Sequence, residues 1–156
     1  MFEKIIWATD GSESADRALP YAKAFAADGS LLVLHCNELL VGRAGGYSAF
    51  ADDDELEKKI RKQVADTQSE GIATRFTLVK GLTGHAGDKI ADVARETGAD
   101  LIVVGSHGHS AVGGLLLGSV AQKLLHVAPC PVLAIPPMKQ TVASEAPELE
   151  LVEATR

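Results

Sequence analysis

The chain has 156 residues, which is enough for one domain with a sizeable core that needs no disulfide or structural metal. Its formal net charge of −6 and the lack of a basic stripe argue against a nucleic-acid backbone as the main partner, since such binding depends on clustered Lys and Arg. Hydrophobic residues make up 46% of the chain and few of them are aromatic, which favours the aliphatic core typical of buried parallel strands.

The first part of the chain alternates patterns typical of strands and of helices. Residues 4–9, KIIWAT, predict a strand. The DGSES that follows predicts a helix with Ser12 or Ser14 as its N-cap, running to about Ala27. The apolar run 30–36, SLLVLHC, predicts the second strand.

A Gly-containing connection over residues 41–54 leads into a charged helical stretch over about 53–70. Leu56, Ile60 and Val64 recur in that stretch at a spacing of four residues. This spacing places them on one side of a helix and predicts its buried stripe.

The second half continues the alternation. Residues 72–81 alternate apolar and polar side chains and predict an edge strand, because one face stays polar. A helix is predicted over residues 84–99, with Gly98 as its stop. The apolar runs 100–106, DLIVVGS, and 130–137, CPVLAIPP, predict the last two strands, with a short helix, SVAQKLLHVA, between them.

This order of elements predicts the α/β class: an open parallel sheet of five strands with helices on both faces and right-handed crossovers. We expect residues 1–137 to form the domain, and residues 138–156 to be an acidic C-terminal tail that is disordered or packs on a partner. The N-terminus becomes polar after a few apolar residues, too soon for a signal peptide or a membrane span. A cytoplasmic protein without a membrane partner is therefore expected.

The cysteines, Cys36 and Cys130, lie far apart, each inside or beside an apolar run. No CxxC or zinc-site spacing is present in the sequence. We interpret both as buried free thiols.

The histidines form no recognisable catalytic pattern. His107 and His109 lie two residues apart, but no third ligand is near in sequence, and zinc sites generally use three or four protein ligands. His109 is a better candidate for donating to a phosphate when it is protonated. His35 and His126 lie in apolar segments and are interpreted as structural, and His85 has no partner motif nearby.

The stretch from Val103 to Val120, VVGSHGHSAVGGLLLGSV, is rich in glycine. It includes GGLLLGS, which has the glycine spacing of a phosphate-binding P-loop but lacks the lysine. Asp10 and Gly105 follow the first and fourth strands, which are expected to flank the point where the chain reverses direction across the sheet. We therefore expect Asp10 and Gly105 to be neighbours at the ligand-binding edge.

Ser119 lies at or next to the start of the short helix, where N–H groups and the helix dipole favour an anion. Its hydroxyl can donate to a phosphate oxygen or ligate a metal ion. Because the lysine is missing, Mg²⁺ or Mn²⁺ is expected to accompany a bound triphosphate. The alternative is a loop that only crosses the sheet edge, with Ser119 capping its own helix; the glycines alone do not decide between the two.

A longer pattern resembles the universal stress protein family, and specifically its ATP-binding branch. The pattern is Gly105-x2-Gly108-x9-Gly118-Ser119 between DLIVVGSHG and CPVLAIP, together with ATDGS after the first strand. The resemblance covers roughly residues 2–136. It implies a Rossmann-like sheet with strand order 3-2-1-4-5, and a homodimer formed through the fifth strand.

The resemblance also implies roles for individual residues. Asp10 matches an acidic residue at the adenine and ribose end of a nucleotide, and Cys36 matches a position whose backbone reads the adenine edge. Gly105 and Gly108 match turn glycines near the ribose and phosphates, and Ser119 belongs to the phosphate-cradling helix start. The full set of candidate site residues is Thr9, Asp10, Cys36, Gly105, Gly108, His109, Gly118, Ser119 and Val120.

The function implied by the family is that of a dimeric, ATP-binding stress-response regulator with at most slow ATP hydrolysis. AMP or cyclic AMP remains open as the ligand. A dedicated ATPase is less favoured, because the sequence has no Walker lysine, evident general base or arginine finger. A third class is a pure interaction protein that does not bind ATP, with an unidentified protein partner. The dimer strand implied by the family is Val132–Ile135.

Overall fold

A computed structural model of the protein describes residues 2–42, 45–48, 53–108 and 117–137. Strands and helices alternate along these residues, except that β3 follows β2 directly. The strands are β1 Lys4–Ala8, β2 Ser30–Gly42, β3 Gly45–Ser48, β4 Ala73–Leu82, β5 Leu101–Gly105 and β6 Val132–Ile135. The helices are α1 Glu13–Phe25, α2 Asp53–Ser69, α3 Ala86–Thr97 and α4 Ser119–Val127.

Five of these strands form the predicted parallel sheet, in the order β4-β2-β1-β5-β6. In chain order of the parallel strands this is the expected 3-2-1-4-5 arrangement. The carboxyl ends of β1 and β5 lie side by side, since Ala8 pairs with Val104. The segments that begin at Thr9 and Ser106 therefore emerge next to each other, which confirms the expected meeting of the Asp10 and Gly105 regions.

Helices cover both faces of the sheet because strand residues alternate between the two faces. Ile5 and Trp7 of β1 pack with α1 and α2, whereas Ile6 and Ala8 pack with α3 and α4. Both sets of side chains are buried, as expected for a parallel sheet that is covered on both sides. The predicted stripe of α2 lies in the first of these cores, where Ile60 is fully buried.

The connection after the second strand differs from the prediction. β2 continues past residue 36 to Gly42 and turns back into β3, which pairs with it in antiparallel fashion. Leu39 pairs with Ser48 of β3 and with Leu82 of β4, so these two strands lie on opposite sides of β2. The glycine-rich composition of this stretch suggested a loop, but pairing along the longer β4 extends β2 as a strand.

Helix boundaries follow local signals. Ser12 is the N-cap of α1, because its side chain accepts a hydrogen bond from Ala15 N–H, and α1 ends at Phe25 rather than near Ala27. Gly98 ends α3 in the left-handed conformation, with φ of 64°, as its position predicted.

In the part of the chain that the structure describes, no helix is long and apolar enough to cross a membrane. The tail over residues 138–156, together with His109, lies outside the described residues.

Candidate functional site

A cleft of about 390 Å³ opens at the carboxyl ends of β1 and β5, where parallel α/β sheets generally bind ligands. Its walls come from the segments after β1 and β5, the middle of β2, the start of α3 and the start of α4. Every candidate site residue within the described part of the chain lines this cleft. These residues are Thr9, Asp10, Cys36, Gly105, Gly108, Gly118, Ser119 and Val120.

Asp10 is held in a tight turn between β1 and α1. Its Oδ1 accepts a hydrogen bond from Ser12 N–H at 3.0 Å, and the Thr9 hydroxyl oxygen accepts one from Gly11 N–H at 3.1 Å. Gly11 has φ of 75°, a conformation that favours glycine. His35 is buried and donates from Nδ1 to the Thr9 carbonyl at 2.8 Å, so this histidine is structural, as predicted. The bond to a carbonyl oxygen requires the tautomer with its proton on Nδ1.

Helix α2 contacts the same turn from outside the cleft. Lys59 Nζ donates to the Gly11 carbonyl at 2.8 Å and to Asp16 Oδ2 at 2.6 Å. The Leu56 side chain occupies the space where a Cβ on Gly11 would have to lie. Sequence reasoning placed Leu56 in the buried stripe but did not connect α2 to the site. The contact joins residues 45 or more positions apart, which no local pattern reports.

The glycines of the long motif act through close packing of backbone rather than through positive φ. In the described ranges, the glycines with positive φ are Gly11, Gly71, Gly84 and Gly98. None of them belongs to the spacing that identified the motif, so the motif glycines within the described residues do not adopt a left-handed backbone.

Each motif glycine instead lets a neighbouring part of the site pack where a side chain would otherwise lie. A Cβ on Gly105 would lie 2.7 Å from Ala15 N and from the Ser14 carbonyl carbon, so Gly105 lets α1 approach β5. A Cβ on Gly108 would lie 2.6 Å from Asp10 Oδ2. A Cβ on Gly118 would lie 3.2 Å from the Ser106 carbonyl oxygen. The motif thus brings the first turn, the loop after β5 and the start of α4 together.

A set of hydroxyl and backbone groups ties the loop after β5 to the rest of the cleft. The Ser14 hydroxyl, which is buried, donates to the Ile135 carbonyl at 3.0 Å, and Ser106 N–H donates to the same oxygen at 2.7 Å. Ser106 Oγ lies 2.7 Å from His107 Nδ1. Sequence reasoning considered Ser14 only as a possible N-cap and did not single out Ser106. In the described parts of the chain, His107 belongs to no group of three or more metal-ligating side chains.

The start of α4 faces the cleft without a side-chain cap. Gly118 is the N-cap residue and Ser119 the first helical residue, so the alternative in which Ser119 caps its own helix is wrong. Gly118 N–H donates to the Ser106 carbonyl at 2.6 Å, and the next residues, Ser119, Val120 and Ala121, line the cleft. The first N–H groups of a helix have no intrahelical partner and carry its positive dipole end, so this surface suits an anion.

The opposite end of the cleft is formed by side chains from β2 and α3. Cys36 and Glu38 lie two residues apart on β2 and so share one face of the strand, and Ala86 and Ile90 of α3 line the same end of the cleft. Glu38 Oε1 accepts a hydrogen bond from Gly84 N–H at 2.7 Å. Burial, and secondarily the Glu38 carboxylate, raise the pKa of the Cys36 thiol to about 11. Glu38 was missed because the second strand was predicted to end at residue 36; a strand continued at its period of two would have pointed to it.

The remaining thiol and histidines lie outside the cleft. Cys36 and Cys130 are both free, as expected, but each is only partly buried. Burial, followed by the charge of Asp100, raises the pKa of Cys130. His126 is exposed and its Nδ1 donates to the Gln122 carbonyl within α4, and His85 lies 3.7 Å from Asp88 at the start of α3.

Comparisons with known proteins agree with the fold and the motif. The sequence model of the Universal stress protein family matches residues 1–136. A universal stress protein of Thermus aquaticus is 38% identical over 138 residues, covering 86% of this chain and 99% of the relative.

Solved structures show the same architecture. The structure of MJ0577, a hypothetical protein whose biochemical function was assigned from its structure, matches with a TM-score of 0.72 and 24% identity, covering 88% of this chain and 98% of the other. A universal stress protein crystallised in complex with cAMP matches with a TM-score of 0.63 and 24% identity, again covering 88% of this chain and 98% of the other.

Proposed function

The chain belongs to the universal stress protein family, and from this premise we propose that it binds an adenine nucleotide, with ATP as the preferred ligand, in the cleft at the ends of β1 and β5. The observation that carries the proposal is the convergence of residues far apart in sequence on that cleft: Asp10, Cys36, and the glycines before α4. The cleft lies within the usual size range of small-molecule sites.

The phosphates are assigned to the start of α4. The uncapped first turn there offers backbone N–H groups and a positive dipole end, which can hold phosphate oxygens without a lysine. The triphosphate charge still needs compensation, because the described residues that line the cleft include the carboxyl groups of Asp10 and Glu38 and no Lys or Arg side chain. We therefore assign Mg²⁺ or Mn²⁺ to the triphosphate itself, with Asp10 and the Ser119 hydroxyl as the oxygen ligands that this chain could add.

The second candidate ligand is AMP or cyclic AMP. Its support is the fold relative crystallised with cAMP, whose likeness to this chain at 24% identity extends to the fold. A cyclic monophosphate needs less charge compensation than a triphosphate, which suits a cleft whose described lining residues include no lysine. Membership of the family supports the role of a stress-response regulator. The absence of a Walker lysine from the sequence favours at most slow ATP hydrolysis.

Isothermal titration of the purified protein with ATP, AMP and cyclic AMP, each with and without Mg²⁺, tests the ligand. We expect ATP with Mg²⁺ to bind most tightly, and ATP without the ion to bind more weakly. Mass spectrometry of nucleotide that co-purifies with the native protein identifies the ligand and its phosphate number independently. Affinities weaker than millimolar for all three nucleotides would contradict the proposal.

We further propose that the protein is a cytoplasmic homodimer that pairs through β6. β6 ends the path of the parallel sheet, and an edge strand presents backbone groups that can pair with a second copy. Val132, Leu133 and Ala134 of this strand are only partly buried in the single chain. Sedimentation equilibrium tests the dimer. Replacing Ala134 by Pro, which removes an N–H on the edge of β6 that faces away from β5, should shift it to monomer, whereas a monomeric parent protein would refute it.

A further inference from the structure

The end of the cleft on β2 lies where a purine base would reach if the phosphates lie at α4. β1 ends in register with Leu34 of β2, so Cys36 and Glu38 extend beyond it and face the opening. β2 and β5 are separated by β1, and neighbouring strands lie about 4.8 Å apart, which places the two ends of the cleft about 10 Å apart. A nucleotide with its phosphates on the first turn of α4 therefore directs its base toward β2 and α3.

Among the described residues that line this end of the cleft, Glu38 is the one charged side chain, and the others are small or apolar. Ala86 and Ile90 of α3 and the side chain of Cys36 form a largely apolar wall beside Glu38. The raised pKa of Cys36 keeps its thiol protonated and uncharged near neutral pH. The Glu38 carboxylate is therefore the group in this wall with the strongest capacity to accept a hydrogen bond.

The orientation of Glu38 is set by the protein itself. Gly84 N–H, in the turn before α3, donates to Glu38 Oε1 at 2.7 Å. Gly84 has φ of 86°, and the adjacent Thr83 N–H donates to the Leu39 carbonyl at 3.2 Å, so the turn is anchored to β2 at Leu39 as well as at Glu38. An ionised carboxylate can accept several hydrogen bonds, so one bond to Gly84 leaves capacity for a ligand.

We propose that Glu38 determines base specificity, with its carboxylate accepting a hydrogen bond from the exocyclic amino group of adenine and disfavouring a purine that carries a 6-keto group. Carboxylates accept hydrogen bonds from exocyclic amino groups of bases in other recognition sites. A keto oxygen at the same position would face the carboxylate with no proton between them. This inference rests on the proposed nucleotide function and adds to it a residue that the family motif does not contain.

Titrations with ATP and ITP test it, because these two nucleotides differ at the 6-position of the purine; AMP and IMP form a second pair. The key variant is Glu38→Gln, whose amide oxygen can still accept from Gly84 N–H while its amino group replaces an acceptor by a donor. The control is Glu96→Gln, on the exposed side of α3 away from the cleft. Thermal unfolding of each variant accompanies the titrations.

We expect the parent protein and Glu96→Gln to bind ATP about tenfold more tightly than ITP, the lower range for a hydrogen bond to a charged group. In Glu38→Gln the preference for ATP should be lost or reversed, because the amide N–H can donate to a 6-keto oxygen, with unchanged thermal unfolding. Equal affinities in the parent protein, or a preference that survives in Glu38→Gln, would overturn the assignment of Glu38 while leaving nucleotide binding intact. Failure of all these nucleotides to bind the parent protein would instead refute the proposed function, and the role of Glu38 with it.

Discussion

The two ends of the cleft are built by different means. The end at α4, formed by Gly105, Gly108 and Gly118, brings backbone against backbone and offers N–H groups. The end at β2, with Cys36 and Glu38, presents side chains from an extended strand. The first end depends on the absence of side chains and tolerates few changes, whereas the second can change its chemistry without changing the fold. In the proposed nucleotide complex, this difference separates the capacity to bind a phosphate from the choice of base.

The largest effect is expected at Gly105, where the α4 end depends on close packing. A Cβ there would lie 2.7 Å from backbone atoms of Ser14 and Ala15, so Gly105→Ala should lower the free energy of unfolding by about 3 kcal/mol. Gly118→Ala is the matched control, because its Cβ would lie 3.2 Å or more from its neighbours, and it should cost less than about 1 kcal/mol. Urea denaturation measures both. Equal losses would mean that packing does not distinguish these glycines.

The next effect concerns phosphate binding by backbone at α4. Gly118→Val places a branched side chain against the Ser106 carbonyl and His107 Cα, and should open the loop and weaken ATP binding about a hundredfold. Ser119→Ala keeps the backbone N–H groups and should weaken binding less than about tenfold. Calorimetric titration of both variants measures the affinities. A greater loss in Ser119→Ala would assign the phosphate contact to the hydroxyl instead of the backbone.

A smaller and less selective effect is expected from α2, which holds the turn that carries Asp10. Lys59→Met removes the bonds to the Gly11 carbonyl and Asp16, and should weaken ATP and ITP alike by about threefold, with less than about 1 kcal/mol lost in stability. Lys62→Met, on the same helix and paired with Asp66, is the control and should leave both affinities unchanged. A change in the ratio of ATP to ITP affinity in Lys59→Met would show that the turn also affects the base end.

The smallest effect is the pH dependence contributed by Cys36 at the β2 end. The pKa of this thiol rises from 9.0 to about 11 on folding, so the folded chain retains the proton over this interval while the unfolded chain loses it. The resulting stability is present below pH 9 and is lost as the pH rises toward 11. Urea midpoints measured across this window should fall less in Cys36→Ser than in the parent protein. Identical slopes would place the thiol in a more exposed environment.

Local signals in the sequence predict most of the fold. Apolar runs such as those of β1 and β5 predict buried strands, the spacing of Leu56, Ile60 and Val64 predicts a helix face, and Gly98 marks a helix end. The motif spacing also identifies the α4 end of the cleft. A close backbone contact there requires glycine, and that requirement can be read directly from the sequence. These features depend on residues close together in the chain or on residue types that have few other uses.

The tertiary structure decides what lies between distant segments. The extension of β2 to Gly42 depends on pairing with β3 and β4, so the place of Glu38 at the cleft could not be predicted from the apolar run alone. The contact of Lys59 with the Gly11 carbonyl likewise depends on how α2 packs beside α1. The sequence by itself determined the order of strands and helices along the chain and the backbone-built end of the cleft, and its resemblance to the family supplied the strand order within the sheet. Only the tertiary structure decided which side chains complete it, because those contacts arise from packing between elements and leave no periodic pattern in the chain.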